Sequence, residues 1–159
     1  MHTLVFGYGN PSRGDDALGP LFVERLAPLV AQHPEWGRVE CLTDFQLQVE
    51  HALDMVGRDR VLFVDAGASC AAPCDLFPLA RAEGLTHTSH AVRPGELLKV
   101  YAQVTGRPPP PAWILAIRGE RFELGEPLSR TASGHLEAAL ERAGRFLAGR
   151  RLVTDPTRD

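Results

Sequence analysis

The segment Gly7-Tyr8-Gly9-Asn10-Pro11-Ser12-Arg13-Gly14-Asp15-Asp16-Ala17-Leu18-Gly19 constrains the fold of this chain more than any other. An apolar run, Thr3-Leu4-Val5-Phe6, precedes it and reads as a buried strand. A helical pattern follows, with Leu18, Leu21, Phe22, Leu26 and Leu29 recurring at three- and four-residue spacing. A glycine-rich turn that passes a first strand into a first helix belongs to an open α/β sheet, where ligands and catalytic groups gather at the strands' carboxyl ends. Two adjacent carboxylates in that turn want a cation, a proton or a basic partner.

Strand and helix patterns alternate along the rest of the chain. Thr3–Gly7, Arg38–Leu42 and Val61–Asp65 read as buried strands, and Trp113–Arg118 as a fourth behind the Pro108–Pro111 run. Cys74–Leu79, bracketed by Pro73 and Pro78, reads as an edge strand. Pro20 suits the first turn of the first helix, which does not need its missing N–H. Val49, Leu53 and Val56 mark a second helix. Pro94, Leu97, Val100, Tyr101 and Val104 mark a third, closed by Gly106. Leu136, Leu140, Ala143 and Leu147 mark a last one, capped by Ser129. The expected fold is one α/β domain of three layers over residues 1–150. Its sheet is twisted and mostly parallel, with about five strands and helices on both faces. Residues 151–159 are expected to fray.

A length of 159 residues suits one domain, and 44% hydrophobic content is enough for a real core. A net charge of −3 gives no polyanion signal, so nucleic acid is not an expected partner. No apolar run approaches the roughly 20 residues of a membrane span. The amino terminus lacks a basic segment, and its apolar stretch is broken by Gly7 and Gly9, so no secretory signal is read there. The three cysteines, Cys41, Cys70 and Cys74, cannot all pair. A reducing, cytoplasmic setting and a monomer are the expectations.

Three positions stand out chemically. Asp15 and Asp16 are the first; one of them could serve only as a helix cap. Asp65 closes the third strand at the same sheet edge and could instead accept backbone N–H groups of the following turn. His90 precedes the third helix, whose positive amino-terminal end favours a neutral imidazole; His87 competes for any such role. Together these residues form an oxygen-rich set with open positions, suited to a divalent metal that activates water or polarises a carbonyl. Cys70-Ala71-Ala72-Pro73-Cys74 is not a common zinc spacing. Cys70 with His90 is a conceivable nucleophile pair, but no third residue stands out to orient the base.

Leu4-Val5-Phe6-Gly7-Tyr8-Gly9-Asn10 with Gly14-Asp15-Asp16-Ala17-Leu18-Gly19 resembles the hydrogenase maturation endopeptidases, which process the large subunit of nickel–iron hydrogenases. The likeness continues at Val64-Asp65-Ala66, at Ser89-His90, and from Gly119 to Ser129. It implies a single α/β domain that removes a carboxyl-terminal extension from the large-subunit precursor after nickel insertion. It also implies that Asp16, Asp65 and His90 contact the metal and carry the catalysis. The nickel would come with the substrate protein, and the chain would hold no tight cofactor of its own. Two departures matter. Asp16 stands where the family often has Glu, one methylene longer, so Asp15 remains an alternative ligand. Asp44-Phe45-Gln46-Leu47-Gln48 replaces a common Gly-Thr turn and resembles the subgroup serving NAD-coupled cytoplasmic hydrogenases.

Two other functions compete. A dinucleotide-binding domain would use Gly7-Tyr8-Gly9 and Asp44, but Ser12 holds the third glycine position and Asp15 and Asp16 would repel phosphate. A non-catalytic partner of a metalloenzyme could use the same residues to sense metal without cutting.

Overall fold

The computed structural model describes residues 1–79 and 92–149. The tail expected at 151–159 lies outside them. Strands β1 (His2–Tyr8), β2 (Arg38–Asp44), β3 (Arg60–Gly67), β4 (Cys74–Pro78) and β5 (Ala112–Arg118) form one sheet in the order β2-β1-β3-β5-β4. Pairing is parallel except for β4, which lies antiparallel on β5 at one edge. Pro78 ends that edge strand, where a missing N–H is tolerated.

Helices α1 (Leu18–Val30), α2 (Pro94–Thr105) and α3 (Arg130–Leu147) cover the sheet. Period-two alternation splits each central strand between two cores. Val5, Leu62, Val64, Leu115 and Ile117 meet Leu18, Phe22 and Leu26 of α1 and Leu136, Leu140 and Phe146 of α3. On the other face Leu4, Phe6, Val61, Phe63 and Ile114 meet Leu97 and Tyr101 of α2. Three layers with helices on both faces therefore follow from the strand patterning.

The helix ends are chemically marked. Pro94 opens α2 and Gly106 closes it in the left-handed region, at φ 69°. Ser129 Oγ accepts the Ala132 amide at 3.1 Å and caps α3. The buried Arg60 guanidinium donates to Thr3 Oγ1 and to the carbonyls of Phe146 and Leu147, tying the end of α3 to the start of β3.

One expected helix differs. Val49–Met55 is a 3-10 helix, and the proposed stripe of Val49, Leu53 and Val56 is exposed, at 52%, 60% and 50%. A three-residue period turns Ala52 and Met55 inward instead.

Candidate active site

The first turn begins at a close crossing of β1 and α1. A Cβ at Gly7 would strike the Gly19 carbonyl, and a Cβ at Gly19 would strike the Tyr8 carbonyl. Gly9 has φ 151°, and a Cβ there would strike the Asp16 carbonyl. Glycine is thus required where the strand hands over to the helix. A 3-10 turn over Gly14–Ala17 precedes α1, so Asp15 and Asp16 lie in that turn and Ala17 takes the N-cap position of α1. Neither aspartate caps the helix.

The two aspartates have opposite fates. Asp15 is fully buried, at 0% exposure. Its Oδ2 accepts the amides of Glu120 (2.7 Å) and Arg121 (3.1 Å) and the Ser129 hydroxyl (2.8 Å). Its Oδ1 accepts the Ser129 amide at 2.7 Å. Burial works to raise its pKa, but these four donors outweigh it and hold the carboxyl below its ordinary range. The carboxylate is consumed in fastening the segment 119–129 to the turn. Asp16 is only half-buried and accepts one bond, from the Asn10 amide to Oδ2 at 2.7 Å.

Asp65 stands at the carboxyl end of β3, half-buried. Its Oδ1 accepts the Ala66 amide at 2.8 Å, and it is hydrogen-bonded by the Tyr8 hydroxyl. Burial first, and then the nearby Asp16 charge, push its pKa up to about 8, against the two hydrogen bonds. Asp16 and Asp65 thus lie at the same sheet edge, close enough for the Asp16 charge to act on Asp65. Tyr8 is the residue missed in the sequence. Strand alternation from Phe6 puts it on the face of Phe63 and Asp65, but only the register of β1 on β3 brings the two together. Burial and the charge of Asp65 raise the Tyr8 phenol well above its ordinary value.

His90 and His87 lie outside the described residues. Among the described residues no group of three His, Cys, Asp or Glu side chains could hold a metal ion. Asp16 and Asp65 supply two hard oxygen donors of the kind a divalent cation accepts. The three thiols are free and half-buried, and burial pushes each of them up, so none is an activated nucleophile.

The turn has no amide to offer a dinucleotide's phosphates. Gly9 donates to the Asp44 carbonyl, Asn10 to Asp16, Ser12 to Asn10 Oδ1 and Arg13 to the Asn10 carbonyl. Gly14 donates to Glu126, Asp15 to Arg121 and Asp16 to Arg13. Pro11 has none. Asp44, the candidate ribose acid, accepts the Phe45 amide and lies 3.1 Å from His51 Nε2. No helix among the described residues is long and apolar enough to cross a membrane.

No protein-family model matches the chain, and no curated protein matches it. Solved structures do. The hydrogenase maturating endopeptidase HybD of E. coli is 26% identical, with a TM-score of 0.71 and 94% of each chain covered. A second endopeptidase of Escherichia coli is 25% identical, with a TM-score of 0.70, covering 95% of this chain and 96% of the other. The [NiFe] hydrogenase maturation protease HycI of Thermococcus kodakarensis KOD1 has the same fold, with a TM-score of 0.71 at 22% identity and 92% of each chain covered. A doubly covered, mostly parallel sheet matched along nearly the whole length of these proteins gives the chain the α/β fold of these endopeptidases. The chain shares the fold of the hydrogenase maturation endopeptidases and is similar to them along nearly its whole length.

Proposed function

We propose that this chain removes the carboxyl-terminal extension from the large-subunit precursor of a nickel–iron hydrogenase, after nickel insertion. The client's metal serves for recognition, through Asp16, Asp65 and His90. The observation that carries the reading is the pair formed by Asp16 and Asp65. It is a two-carboxylate half-site at the edge where α/β sheets bind ligands, on the fold of the E. coli endopeptidases. Asp65 holds its proton near neutral pH in the isolated chain. A divalent cation arriving with the client would exchange for that proton, because a carboxyl group must ionise to coordinate. A half-site of two acids and one imidazole binds a free ion weakly and is completed when client and protease meet. The chain would act as a monomer in the cytoplasm. The narrower assignment, to NAD-coupled hydrogenases, rests on the Asp44–Gln48 turn alone. The test is cleavage of nickel-loaded against metal-free precursor, read as the mass of the product; cleavage of the loaded form alone is the expected result, and equal cleavage of both overturns the reading.

A further inference from the structure

Tyr8 occupies an unusual place for a phenol. It closes β1 between two acids: its register partner on β2 is Asp44, and Gly7 before it pairs with Val64 of β3, the residue before Asp65. In parallel strands, residues at one level point to one face. The Tyr8 side chain is therefore beside Asp65, and its hydroxyl bonds to that carboxyl group. The ring is almost wholly buried and packs edge-on against Phe6 at 6.3 Å. Phe6 is in turn held by the edge of His51 at 4.6 Å. The phenol is thus fixed before any client arrives. A phenylalanine would fill the same space, so packing does not account for the hydroxyl. A buried hydroxyl must find a partner, and here the partner is an acid of the site.

We propose that Tyr8 is a positioning residue for Asp65. Its hydroxyl acts with the Ala66 amide to hold the carboxyl group in the rotamer that stands beside Asp16. An aspartate at a strand end has two free torsions, and one backbone donor leaves the second oxygen free to swing. A second donor, from the adjacent strand β1, restrains that swing. The inference rests on the proposed processing reaction, because it gives Asp65 a geometry worth holding. A reacting group misplaced by about 1 Å can lose on the order of 10²-fold in rate.

The chain has two tyrosines, Tyr8 and Tyr101, which makes the contact directly observable. With 3-fluorotyrosine in the full chain, fluorine spectra should show two resonances, and Tyr8→Phe assigns them. Without metal or client, Asp65→Ala should move the Tyr8 resonance and leave that of Tyr101 in place. On nickel-loaded precursor, Tyr8→Phe should lower kcat by about 10- to 100-fold with KM and melting temperature little changed. A Tyr8 resonance indifferent to Asp65→Ala overturns the inference, as does wild-type kcat in Tyr8→Phe. So does a loss of activity that follows a loss of folded protein. A wild-type chain that cuts no precursor overturns the processing reading and this inference with it, an outcome distinct from an active wild type with a normal Tyr8→Phe.

Discussion

Asp15 and Asp16 are neighbours with the same chemistry and different work. Removing Asp15 would orphan three amides and one hydroxyl at a part-buried site. Asp15→Ala should therefore cost about 3 kcal/mol of stability, seen in urea unfolding. Asp16→Ala loses one hydrogen bond from a half-exposed position. It should stay within about 1 kcal/mol of wild type while losing about 10²–10⁴-fold in cleavage rate. Equal destabilisation of the two variants would contradict the division. Nothing in the sequence could separate them, because the donors to Asp15 lie more than a hundred positions away in 119–129. Asp65 makes a prediction in pH. Its folded pKa of about 8 lies above the ordinary 3.8. Between those values the folded chain keeps a proton that the unfolded chain has released. The associated stability is full below the ordinary value and lost as pH rises through about 8. Asp15 has the opposite sign: its stabilisation is present above the carboxylate range and lost as pH falls. Asp65→Asn should melt above wild type at about pH 8, with the gap closing toward about pH 4. Parallel melting curves across that range would show that Asp65 does not carry the raised pKa.

At the scale of the element, the site depends on how closely α1 approaches β1. Gly19→Ala would push a methyl group into the Tyr8 carbonyl, separating helix from strand just where Asp16 enters. A cost of about 1–3 kcal/mol and a large fall in cleavage are expected, measured by thermal melting and product mass. Gly134→Ala on α3 meets no neighbouring atom and should instead stabilise by about 0.5–1 kcal/mol. A neutral Gly19→Ala would show that the crossing has room to spare. The strands and the caps of α2 and α3 were legible because apolar runs, Pro94, Gly106 and Ser129 act locally. The Val49–Met55 segment differs from its α-helical expectation because Val49, Leu53 and Val56 fit a helical period by spacing alone. The tighter period that buries Ala52 and Met55 is set by packing, not by the segment itself. Asp65 was legible as the acid at a strand end. Tyr8 was not, because its role depends on strand order, with β3 placed next to β1.

At the scale of the molecule, the sheet brings one carboxylate from the first turn and one from the third strand to a single edge, while 119–129 braces the turn from behind. An enzyme working as proposed would have little need of a tight metal site. On the proposed reading it would meet a metal already held by another protein, and a half-site of acids, one of them with a raised pKa, would suit that task. Recognition would then depend on the loaded state of the client. The central claim is tested most directly by incubating the purified chain with nickel-loaded and metal-free precursor in parallel and weighing the products by mass spectrometry. Loss of the carboxyl-terminal extension from the loaded precursor alone is the expected result. Equal shortening of both precursors, or of neither, would contradict it.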